Sequence, residues 1–225
     1  MATSNQYNFN PVIGSLALAA YRRIQIARTS LSAEHMEDAY LETNLMQADW
    51  SADGITFWTV TLVTQPVSAG QATYTVPANA VTVLDVYINN GTSNRLLFPL
   101  SRTDYASIAQ PNQQGFPTSF WHNRVIPSEL TLWPTPDAAQ NYTLNYYIYQ
   151  QIQDANIPGG GNINMPYFWL DAYVADLAHR LARIHAPALE QMRGMDRERA
   201  YQNACKQSEI VPFYITPGLA GYYRP

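Results

Sequence analysis

The side chains able to do chemistry are few and scattered. The four histidines are His35, His122, His179 and His185. His179 and His185 stand six apart in one helical pattern, which turns them to different faces. No HExxH or CxxC spacing occurs, and Cys205, the single cysteine, has no histidine near it in sequence. These residues read as satisfied core or surface groups rather than metal ligands. Cys205 reads as a structural thiol rather than a nucleophile. Gly159-Gly160-Gly161 is not followed by Lys-Ser/Thr, so it reads as a flexible joint and not a phosphate cradle. No Gly-x-Ser-x-Gly elbow is present. Among Asp85, Asp104, Glu129 and Asp137 the sequence favours no pair of the kind a glycosidase sets across a cleft. Asp137 follows Pro134-Thr135-Pro136 and reads as a turn residue. Tyr74, Trp121, Trp133, Tyr146 and Tyr149 admit a sugar-stacking platform, but alternating strand aromatics more often belong to a core or an interface. Arg95, Arg102 and Arg124 read as partners within or between chains. No catalytic, cofactor-binding or metal site is expected, and no enzyme.

The composition agrees with that reading. At 225 residues the chain makes one large domain or two small ones, with 47% apolar and only 13% charged residues. Such a thinly charged surface suits flanks that are buried in an assembly. Net charge is −4, and Lys206 is the only lysine. That leaves no basic face to release phosphate counterions, as sequence-independent nucleic-acid binding requires. A lone cysteine excludes an internal disulfide and fits a reducing compartment. Residues 12–20 imitate a signal-peptide core, but Arg22 and Arg23 follow the apolar run instead of preceding it. The run is also too short to span a bilayer, so no membrane partner is expected.

The elements that would position these groups read as helices, then strands, then helices. Asn10-Pro11 opens a helix whose apolar stripe (Ile13, Leu16, Ala17, Ala20, Ile24, Ala27) runs to about residue 28. A second helix from Ser32 carries two stripes. Met36, Ala39, Tyr40, Thr43, Met46 and Trp50 form one, and Leu41, Leu45 and Ala48 the other. A helix apolar on two sides is sandwiched between partners. Asp53-Gly54 ends it.

From residue 55 the period changes to two. Strands are expected at 55–64, 71–76, 81–88 and 95–100, with Asn89-Asn90-Gly91 as a hairpin turn. A capped helical piece starts at Ser101, and further strands fall at 118–124, 129–133 and 142–150. Many short strands at close spacing argue for a sandwich or partly closed barrel. Leu170, Val174, Leu177, Leu181 and Ile184 mark a third helix, and 188–207 a weaker fourth with Gly194 inside it. The fold class is therefore α+β: a bundle of about four helices from both chain ends, holding an inserted antiparallel β-sandwich or barrel-like domain. The expected units are 1–54 and 159–210 for the bundle, 55–158 for the β domain and 211–225 for an extended arm. That arm carries Pro212, Phe213, Tyr214, Ile215, Leu219, Tyr222, Tyr223 and Arg224, a richness in aromatics that disordered tails lack.

The stretch from Leu41 through Trp50 and Asp53-Gly54 to Trp58 resembles the helix-to-strand junction of bacteriophage head-to-tail adaptor (connector) proteins of the tail tubular protein A and tail accessory factor type. The order that follows is similar too: GQATYTVP at 70–77, VTVLDVYI at 81–88, the Arg102-Thr103-Asp104-Tyr105 segment, GFPTSFW at 115–121, LTLWPTPD at 130–137, and the helix of 166–182. The resemblance covers roughly residues 10–185. It implies a homo-oligomeric ring, usually dodecameric, below the portal protein and above a tail or nozzle protein. Double-stranded DNA passes through its lumen without specific binding. It further implies a virion component of the head-to-tail junction, assembled in the host cytoplasm, whose C-terminal arm docks on the portal or on a neighbouring subunit. The alternatives are a carbohydrate-binding β module of a host-recognition protein and a virion-borne cell-wall hydrolase.

Overall fold

The structure is a computed structural model, which describes residues 9–54, 57–139, 141–157 and 160–208. Helix α1 (Ile13–Arg23) starts after the Asn10-Pro11 opening expected for it and ends before its apolar stripe does. Val12, expected inside the helix, instead makes a β-bridge to Asn162, and Ile13 N–H donates to the Gly161 carbonyl at 3.0 Å. The end of the glycine joint is therefore tied to the start of α1. At the other end, Gln25 N–H bonds to the Arg22 carbonyl and Ile26 N–H to the Tyr21 carbonyl, with Gln25 at φ 66. That is a Schellman stop, which satisfies the last carbonyls and turns the chain before residue 28.

Helix α2 (Ala33–Ala52) begins where expected, in a capping box. Ser32 Oγ receives the His35 N–H, and His35 Nδ1 lies 3.3 Å from the Ser32 N–H it accepts. Histidine does here what Glu or Gln usually does.

Of the first strand expected at 55–64, residues 55 and 56 lie outside the described residues, and the strand itself starts late. A 3-10 turn over Phe57–Thr59 precedes β1 (Val60–Pro66). There follow β2 (Thr73–Thr75), β3 (Ala80–Asn89), β4 (Asn94–Leu96) and β5 (Phe98–Leu100). Next come α3 (Arg102–Ala106), β6 (Gln114–Gly115), β7 (Ser119–Asn123), β8 (Glu129–Trp133), β9 (Thr135–Pro136) and β10 (Thr143–Gln150). The hairpin after β3 turns as expected, with Gly91 at φ 87, a backbone state that glycine adopts without a Cβ penalty. The single return strand expected at 95–100 is instead two. β4 stays antiparallel to β3, whereas β5 crosses to the other sheet and pairs parallel with β7. Leu97 is the pivot, 2% exposed in the β core.

Two four-stranded sheets result, ordered β1-β10-β3-β4 and β2-β8-β7-β5, with a small β6-β9 pair beside them. Tyr74, Phe120, Leu130 and Leu132 from one sheet meet Val86, Ile88, Leu144, Tyr146 and Ile148 from the other. The product is a sandwich, not a closed barrel, and the fold is α+β.

Helix α4 (Leu170–His185) buries the stripe of Leu170, Val174, Leu177 and Leu181, while Ile184 is 48% exposed. Helix α5 (Glu190–Ser208) packs along it. A Cβ on Gly194 would meet His179 Nε2 at 3.4 Å, so the glycine that weakens this helix in sequence lets it lie close to α4. The helices share a second apolar cluster built on Trp50, Trp169, Tyr21 and Tyr173.

Candidate assembly interface

The groups that sequence offered for chemistry are spread out. Asp104 caps α3, accepting from Ser101 Oγ at 2.7 Å, and that hydroxyl holds its carboxyl below the usual range. Asp137 accepts from Tyr142 Oη at 2.8 Å and from the Ala139 N–H, the turn role expected for it. Asp85 is exposed on β3, and Glu129 lies across from Asn123 and Thr75 on β8. Among the described residues no three His, Cys, Asp or Glu cluster as a metal group would require. No described helix is long and apolar enough to cross a membrane.

The five aromatics do not form a platform. Tyr74 and Tyr146 lie inside the β core at 6% and 0% exposure. Trp121 stacks on Tyr105 at 5.0 Å, and Trp133 Nε1 donates to the Gln110 carbonyl. Tyr149 projects from the face of β10 opposite to Tyr146. Burial without a partner for its hydroxyl pushes the Tyr146 phenol up to about 12. Of the arginines, Arg95 lies over the Phe116 ring at 5.2 Å, a pairing within the chain.

His122 borders a hollow of about 150 Å³ together with Val83, Arg124 and Ser128. Its Nε2 is buried without a partner. Burial first, and the Arg124 charge second, push its imidazole below the ordinary value. His179 is lowered as well, first by burial and then by Arg183 and Arg197. Both therefore take up protons less readily in the fold than in the unfolded chain. Their stabilising contribution is complete above about pH 6.5 and is lost as pH falls from there toward the folded values. Urea midpoints at pH 7.5 and 5.5 should fall on acidification, and His122→Gln should make that fall shallower. Identical acid-side slopes in the two proteins would contradict the assignment.

A charged node escaped the sequence reading. Asp176 is 1% exposed. It accepts from Trp50 Nε1 at 3.0 Å and from Arg180 Nε at 3.4 Å, and Arg197 Nε lies 3.1 Å away as an ion pair. Arg180 also reaches Asp49 and Glu42. One carboxylate thus joins α2, α4 and α5. The Asp176–Arg180 spacing of four was the available signal.

What the fold leaves uncovered is apolar. Of the first α2 stripe Ala39, Thr43, Met46 and Trp50 are buried, Met36 is half-buried and Tyr40 exposed, while Leu41 and Leu45 face outward at 57% and 47% exposure. Met192 and Met195 on α5 are exposed too, and so are Leu62, Leu96 and Phe98 on the strands. At the β7–β8 tip Ile126 is fully exposed. Scattered exposed apolars are ordinary, but a stripe on one helix face is not. The residues expected to form the docking arm, Pro212 to Arg224, lie outside the described residues.

The geometry is that of a two-layer β-sandwich joined to a helical bundle, with Leu41 and Leu45 of α2 exposed. The chain belongs to the SU10 adaptor protein family, whose model matches residues 12–209. It is accordingly a bacteriophage structural adaptor, a component of the head-to-tail junction. No curated protein matches it.

Proposed function

We propose that copies of this chain form a homo-oligomeric, dodecameric ring that joins the portal to the tail or nozzle and lets the genome through, in the manner of the tail tubular protein A type. The observation that carries the reading is the outward Leu41–Leu45 stripe of α2 on a chain of this family. Head-to-tail contacts between unlike faces around a closing rotation give a finite ring. In this reading the helical segments 1–54 and 159–210 act as the ring body, 55–158 projects from it, and 211–225 docks on the portal or on a neighbour. The role is structural, with no catalytic step. A net charge of −4 suits a conduit, because a strongly basic lumen would bind phosphate and hold the DNA back. Protomers stay apart until a preformed portal ring gathers them. Electron microscopy of the protein with and without portal rings tests this, and a symmetric collar on the portal is expected.

A further inference from the structure

Strand β1 lies at the end of its sheet and pairs with β10 on one side only. Among the described residues no strand pairs with its other side. Natural sheets guard such edges with charges, bulges, prolines, short strands or a covering helix or loop. β1 reads Val-Thr-Leu-Val-Thr-Gln-Pro, without a charge and with proline only at its last position. The register shifts of this sheet fall between β10 and β3, not on β1.

Along this flank Gln65 Nε2 bridges to the Thr75 carbonyl of β2 at 3.0 Å, but the first half of β1 is less covered. Thr61 and Val63 lie opposite Ile148 and Tyr146, which are fully buried. Yet Thr61 is exposed and Val63 only half-buried.

One segment of this chain has the chemistry to occupy that edge. Tyr201 Oη on α5 donates to Asp53 Oδ2 at 3.0 Å. Tyr201 and Trp58 both pack against Trp169, at 5.9 and 5.3 Å between ring centroids. Trp58 stands two residues before Val60. Tyr201, about two turns before the end of α5, therefore shares Trp169 with Trp58, where the chain enters β1. Beyond Ser208 the sequence soon reaches Phe213-Tyr214-Ile215-Thr216, four strand formers between Pro212 and Pro217. Prolines at both ends suit a short edge strand and stop a further strand from adding to it. Residues 209–212 supply a lead of about 13 Å at roughly 3.3 Å per residue.

We propose that residues 213–216 add to the open edge of β1 of their own chain in the free protomer, storing the arm and closing the sandwich before assembly. The addition uses main-chain hydrogen bonds for affinity and alternate side chains for fit. The proposal does not require a ring: it concerns the protomer alone, whereas portal docking is read on mixtures with portal.

Amide hydrogen exchange on the full chain, on a chain ending at residue 208 and on Ile215→Pro tests it. Amides of β1 should exchange at least tenfold faster in both variants than in the full chain. Those of β10 and β3 should be unchanged, and the difference should not depend on protein concentration. Equal protection of β1 in all three would overturn the proposal. So would protection that rises with concentration, which assigns the segment to a second copy. Faster exchange across both sheets would overturn it as well, because the segment would then be supporting the whole fold.

Discussion

Asp176→Ala is expected to lower the stability of the protomer by about 3 kcal/mol, the lower end of the cost of breaking a buried ion pair from one side. The substitution strips the acceptor from Trp50 Nε1 and a counter-charge from two arginines at once. Two features hold the loss to that lower end. Arg180 keeps Asp49 and Glu42, and the Arg197 side chain is 35% exposed, so water partly replaces what it loses. Asp176→Asn can retain the Trp50 hydrogen bond and should lose less than the alanine variant. Urea denaturation gives both numbers. A loss below about 1 kcal/mol for alanine would mean the three helices are joined by their apolar cluster alone.

Deleting residues 211–225 is expected to leave a folded protomer that no longer joins portal rings. The deletion removes Phe213, Tyr214, Ile215, Leu219, Tyr222, Tyr223 and Arg224 together, whereas both apolar cores lie within residues 13–204. Stability should fall by only about 1–2 kcal/mol, the worth of the tenfold or somewhat greater protection that the arm lends β1. Association with the portal should fall below detection, because an arm rich in buried-type aromatics holds the anchors that dominate an interface. Circular dichroism and co-sedimentation with portal rings measure the two halves. Normal co-sedimentation of the shortened chain would remove the arm from the account.

Much of the fold was legible because local signals agreed with one another. Ser32 opens α2, Asn90-Gly91 turns the hairpin, and the Leu170–Leu181 stripe buries α4. Most of the misses came from a tertiary contact that overrode a local pattern, and the end of α1 from a local stop. Val12 left the helix to bridge Asn162, and Gln25 took a left-handed turn that ends α1. Residues 95–100 look like one strand, since nothing in their alternation reveals that Leu97 is buried where the chain changes sheets. The second stripe of α2, expected to be covered by a partner, is exposed in the protomer at Leu41 and Leu45. Asp176 went unnoticed because a single carboxylate among apolar neighbours gives no hint of partners on two other helices.

The most direct measurement is imaging of purified protein alone and mixed with portal rings, followed by imaging of mature particles. The account predicts dispersed protomers in the first case, a closed symmetric collar seated on the portal in the second, and the same collar at the head-to-tail junction in the third. Bare portals beside unassembled protein, together with particles that lack the collar, would contradict it.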